Sequence, residues 1–176
     1  MKSFRQYITE VFDNPYKWRG GTVAKGSITP ENDGIFENYQ FKTTDGGEVE
    51  LTANHWWIDA GKRFSASSGI IIKETGHTIA IEFVKSTSSK STTYDMTGDG
   101  DALRTMATVL DIIKSIIKKH EPMTIVFSGN KSQSGGFPTG RTKAYAAMVK
   151  RFAGKMGYKS DAQDSPIKVE WQLTKK

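Results

Sequence analysis

The chain is predicted to fold as an α+β domain, a central and mostly antiparallel sheet carrying two main helices. Three observations predict it. Residues 35–86 hold short runs in which apolar and polar residues alternate, the period of half-buried strands. Residues 101–120 and 140–157 switch to the period of amphipathic helices. Strand-like runs, MTIVFSG and IKVEWQLTK, follow each helical segment. Antiparallel pairs followed by separated helices give helices packed on one sheet.

The 176 residues, 36% of them hydrophobic, suffice for one core. There is no cysteine, so disulfides, thiolate metal sites and cysteine nucleophiles are excluded. No run approaches the roughly 20 apolar residues of a membrane span, and no membrane partner is expected. The formal charge of +6 permits weak, non-specific contact with a polyanion such as DNA.

Taken in order, residues 1–12 form a one-stripe helix or targeting leader, since Phe4, Tyr7, Ile8 and Val11 follow helical spacing. Residues 13–34 carry Pro15, Pro30 and four glycines and are expected to be an extended arm, leaving 35–176 as the single domain. FENYQFKT and EVELTAN form a hairpin about Asp45-Gly46-Gly47. GIII and HTIAIEFVK form a second about Glu74-Thr75-Gly76, with Ile79, Ile81 and Phe83 on one face and Ala80, Glu82 and Val84 on the other. The helix over 101–120 buries Leu103, Met106, Leu110, Ile113 and Ile117, is capped by Asp99 or Asp101, and stops at Glu121-Pro122. MTIVFSG is a short buried strand. The helix from Gly140 buries Tyr145, Met148, Val149 and Phe152 and ends at Gly157. The last strand alternates through Ile167, Val169, Trp171 and Leu173.

Several groups are candidates for chemistry. Glycines around Lys131, Arg141 and Lys143 make a loop that could suit anions, although an ordinary loop over a sheet edge is the favoured reading. His55, His77 and His120 are spaced too irregularly for a metal triad to be read, so no metal is expected; strand surface, strand start and helix C-terminus account for them. His77-Thr78-Ile79 matches half of a paired phosphoesterase signature whose second copy is absent.

TGDGDALRTMATVL, MTIVFSG and KAYAAMVKRFAGKMGYK, in that order, resemble the GNAT superfamily of N-acetyltransferases over residues 70–176. The resemblance implies a GNAT-like topology, acetyl-CoA as cofactor, and a pyrophosphate held at Gly98, Gly100 and Ala102. It also implies Tyr158 as general acid and Glu82 as a base acting through water. The chain departs from the family's phosphate turn, because Asp99 and Asp101 stand where phosphate charge would lie. Each such like-charge pair at about 4 Å costs on the order of 4 kcal/mol at an effective dielectric near 20. The two aspartates are therefore read as helix caps, and acetyl-CoA belongs only to the alternative reading; otherwise no cofactor is expected.

MKSFRQYITE resembles the capsid-targeting leader of internal head proteins of T-even-type tailed phages, through Met1, Lys2, Ser3, Phe4, Tyr7, Ile8, Thr9 and Glu10. The resemblance implies cutting by a prohead protease between Glu10 and Val11. It also implies capsid, scaffold or other virion proteins as partners, and a place in the virion after assembly in the host cytoplasm. The expected function is an internal head or structural virion protein, non-enzymatic or with a degenerate active site. The alternatives are a GNAT-type acetyltransferase and an injected anti-defence effector. An ordinary first helix packed on its own domain would give the same apolar stripe.

Overall fold

The computed structural model describes residues 14–21, 28–31, 34–86, 92–93, 101–131 and 140–176. The strands are β1 (Trp18–Gly20), β2 (Ile35–Lys42), β3 (Glu48–Ile58), β4 (Gly76–Ser86), β5 (Thr92–Thr93), β6 (Thr124–Asn130), β7 (Tyr158–Asp164) and β8 (Lys168–Lys175). Helix α1 (Asp101–His120) lies between β5 and β6, and α2 (Gly140–Phe152), followed by a 3-10 turn (Gly154–Met156), lies between β6 and β7. The strand order is β1-β2-β3-β4-β6-β8-β7, with β5 paired to the end of β4. Every pairing is antiparallel except β4 with β6. The expected α+β class, a mostly antiparallel sheet with two main helices, is what is observed.

Register fixes the two faces. Leu51 sits opposite both Tyr39 and Phe83, and Ile125 opposite both Ile79 and Leu173, so these residues share one face. Both helices pack there: Met106, Leu110, Ile113 and Ile116 of α1 and Tyr145 and Met148 of α2 join the same buried cluster. Phe127, Tyr145 and Trp171 form its aromatic centre, with ring centroids 4.8–5.7 Å apart. Among the described residues the opposite face is covered only in part, where Ile70 and Ile72 close over Val126.

The structure corrects the element reading in four places. The arm is not free of the domain: β1 is its edge strand, and Tyr16 is buried against Phe41, its backbone N–H donating to Thr108 Oγ1 at 2.8 Å. Trp18 Nε1 donates to Asp111 Oδ2 at 2.9 Å, so the arm clamps the sheet edge to α1. The second hairpin does not form. Residues 70–73 make only one bridge, Ile71 to Arg63, while β3 runs on through His55, Trp56 and Trp57 to pair with all of β4. A strand not foreseen, β7, occupies the edge beyond β8. Finally, Ile167 stands just outside β8 and is 70% exposed, whereas Glu170 and Gln172 are buried, so the last strand does not alternate as expected.

Helix α1 has the expected bounds, and Glu121 ends it with a left-handed φ of 45°. The first hairpin turns at Gly46, whose φ of 78° favours glycine. Among the described residues no helix is long and apolar enough to cross a membrane.

Candidate functional site

Alternation along β2 sends Glu37 inward with Tyr39 and Phe41, and alternation along β3 sends His55 inward after Leu51 and Ala53. Both side chains are fully buried. His77 enters from the start of β4, and His120 is the last residue of α1, laid over this end of the sheet. Four elements thus deliver one carboxylate and all three histidines of the chain to one place.

Every atom of the carboxylate is engaged. Tyr39 Oη donates to Glu37 Oε2 at 2.8 Å, and Lys119 Nζ donates to Oε1 at 2.7 Å while also reaching the Gly21 carbonyl at 2.7 Å. His120 Nε2 lies 3.1 Å from both oxygens. His55 Nε2 approaches Oε2 to 3.4 Å but makes no hydrogen bond, although it is buried. His55 Nδ1 is bonded to His77 Nε2 at 2.9 Å.

The charges follow from these contacts. Burial alone would raise the Glu37 pKa, but the surrounding His55, Lys119, Tyr39 and His120 outweigh it and bring the carboxyl down to about 2. Burial, then the neighbouring His55 and His120, lowers His77 to about 4, against an opposing hydrogen bond to the His120 backbone. Burial also lowers His120, opposed by Glu37. Tyr39 is pushed upward by burial and by its bond to Glu37.

All three shifted acid groups act on stability with the same sign. A group depressed on folding contributes stability that is whole above its unfolded pKa and is lost as pH falls through its folded value. For the histidines this loss starts near 6.5 and runs through about 4 for His77; Glu37 adds its own loss from 4.5 toward about 2. Thermal unfolding from pH 7 to 4 should therefore show a falling midpoint, worth on the order of 1–3 kcal/mol. In His77→Gln the part of the fall between pH 6.5 and 4.5 should shrink; an unchanged profile would assign it to other groups.

The residues singled out from the sequence are placed differently. Glu82 is exposed on the face away from the helices, opposite Thr52. Tyr158 starts β7 on the helix-facing side, and its buried hydroxyl donates to the Pro122 carbonyl at 2.7 Å. The sheet lies between the two. Burial and then the charge of Glu121 push the Tyr158 phenol up to about 12. Lys131 is ion-paired with Asp164, and Lys143 is exposed on α2. Ala102 lies in the first turn of α1. Gly98, Gly100, the Asp99 cap and the leader residues Phe4, Tyr7, Ile8, Glu10 and Val11 lie outside the described residues, as do the side chains of Asp101, Leu103 and Arg141.

The histidine cluster was legible only as a parity error. Glu37 in Ile35-x-Glu37-x-Tyr39-x-Phe41, and His55 in Val49-x-Leu51-x-Ala53-x-His55, are polar residues at positions whose neighbours all face the core. The surface role expected of His55 is corrected by its complete burial. In comparison with known proteins, no family model, curated protein or solved structure matches the chain.

Proposed function

We propose that this is a tailed-phage virion-associated protein, an internal head or structural component directed to the prohead by its N-terminal segment. The observation that carries the reading is the Met1–Glu10 pattern, in which aromatic and aliphatic positions lead to a glutamate, as in the leaders it resembles. The anchoring of the arm is compatible with that cut. Its described contacts begin at Asn14, whose carbonyl accepts from Arg104 Nε at 3.0 Å, and continue through Tyr16 and Trp18. Removal of residues 1–10 leaves every one of them in place. Its partners would be capsid or scaffold proteins, and the net positive charge suits an interior shared with packaged DNA.

A transplant tests the address-label role. Fluorescent protein carrying residues 1–10 and made during infection should co-purify with particles, whereas the same protein without them should not. Equal recovery of the two would remove the role.

A GNAT-like acetyltransferase is the second reading, and one observation favours it. The parallel strands β4 and β6 are paired only from Thr78 to Ala80 against Thr124 to Val126. Beyond that point β6 pairs with β8 alone and β4 with β3 and then β5, so the carboxyl ends of two parallel strands part company. Open sheets take ligands at such a crevice. Against it, Glu82 and the committed hydroxyl of Tyr158 lie on opposite faces of the sheet. Calorimetry with acetyl-CoA should give no binding heat; micromolar binding would reverse the order of the two readings.

A further inference from the structure

We propose that Glu37, His55 and His120 form a binding site for a divalent cation of the zinc class, with His77 fixing the tautomer of His55. The site lies at the end of the sheet where β4 begins and α1 ends, and it does not rest on the virion reading.

The first argument is geometric. One ligand atom from each of Glu37, His55 and His120 can be chosen so that all three lie within 4.8 Å of one another. In a tetrahedral zinc site with bonds near 2.0–2.1 Å, ligand atoms are separated by about 3.3 Å. Glu37 Oε2 is 3.4 Å from His55 Nε2 and 3.1 Å from His120 Nε2. Those are coordination edges as much as they are hydrogen-bond distances. At a tetrahedral centre the imidazole lone pair points at the ion and so runs about 35° off the line to the next ligand. His55 Nε2 behaves in this way, since it is close to the carboxylate yet out of line for a hydrogen bond.

The second argument concerns protons. His77 Nε2 lies 2.9 Å from His55 Nδ1, so one proton is shared between the two rings. In the His77 tautomer protonated on Nδ1, Nε2 is an acceptor. The proton between the two rings then belongs to His55 Nδ1. In that arrangement the lone pair of His55 sits on Nε2, facing a carboxylate oxygen across 3.4 Å in a buried site. Two acceptors facing each other without water repel, and a cation between them removes the conflict. A ligating histidine held through its other nitrogen is the usual outer-shell arrangement of protein metal sites.

The donor set chooses the class of ion. Two imidazole nitrogens and one carboxylate oxygen suit zinc and its neighbours better than calcium or magnesium, which prefer oxygen alone. Tyr39 on Oε2 and Lys119 on Oε1 orient the carboxylate; each oxygen has two lone pairs, so Oε2 keeps one for the ion. The ammonium of Lys119 neutralises Glu37 when no cation is bound and lowers affinity for one, which places the expected dissociation constant nearer micromolar than picomolar. The chain has three histidines and no cysteine, so no imidazole outside this cluster and no thiolate competes for the metal.

The test uses the full chain without an affinity tag, stripped with chelator and titrated with zinc against a chromophoric competitor. One equivalent should bind with micromolar or tighter affinity, and His120→Ala should weaken it at least tenfold. Cobalt(II) should give the intense visible bands of a tetrahedral centre. Absence of binding, or a loss smaller than tenfold in His120→Ala, overturns the proposal. Should His120→Ala fail to fold, nitrogen NMR of the wild-type imidazoles decides: zinc must move the Nε2 resonances of His55 and His120, and unmoved resonances overturn it.

Discussion

Phe127→Ala should lower the free energy of unfolding by about 3–5 kcal/mol. Phe127 sits on β6 near the middle of the sheet and is 3% exposed. Its ring stacks on Trp171 of the neighbouring strand at 5.5 Å and meets Tyr145 of α2 at 4.8 Å, so it is the wedge between sheet and helix. The ring is packed between two large aromatic neighbours, so its removal leaves a cavity whose cost adds to the lost transfer energy. A domain of this size has about 5–15 kcal/mol in all, so the variant should unfold at a much lower urea concentration. Phe36→Ala is the matched control. It removes the same ring from the open face, where Phe36 is 62% exposed, and should change stability by no more than about 0.5 kcal/mol. Equal losses in the two variants would mean that the helix-facing cluster is not the core.

Glu37→Ala should cost about 3 kcal/mol, near the lower end for breaking a buried charged network. The Tyr39 hydroxyl loses its acceptor inside the fold, which is expensive because it is buried, and the half-buried His120 ring loses its acceptor as well. Lys119 softens the effect, since its side chain is 44% exposed and its ammonium can be solvated. Glu37→Gln keeps an acceptor of the same shape and should recover part of the loss in urea unfolding. If Glu37→Ala were as stable as the wild type, the carboxylate would not be organising this end of the sheet.

The sequence carried most of the helices and inner strands and little of the edges or of the site. Helix α1 was legible because its stripe recurs from Leu103 to Ile117, about four turns, and because Glu121-Pro122 stops it. The hairpin of β2 and β3 was legible because six alternating residues flank Asp45-Gly46-Gly47. β1 was not, since three residues between Pro15 and Gly21 carry no period; Tyr16 and Trp18, docking on residues about 90 positions away, determine it. β7 was missed for the opposite reason, because six of its seven residues are exposed and an edge strand needs no apolar alternation. Ile70 and Ile72 imitated a strand because they are buried, but their burial comes from a loop closing over Val126.

The site was hidden because spacing reveals ligands only when they share an element. Glu37, His55, His77 and His120 come from three strands and the end of a helix, separated by 18 to 43 positions, and only the register of β2, β3 and β4 brings them together. Tyr158 and Glu82 failed as a catalytic pair for the converse reason: a parity count along β4 and across to β8 puts them on opposite sides of the sheet.

Mass spectrometry of purified virions bears most directly on the proposed function. The protein should be present in particles, and its first peptide should begin at Val11, with residues 1–10 gone. Particles that lack the protein would contradict the virion assignment, and a particle-borne chain that still begins at Met1 would contradict cutting between Glu10 and Val11.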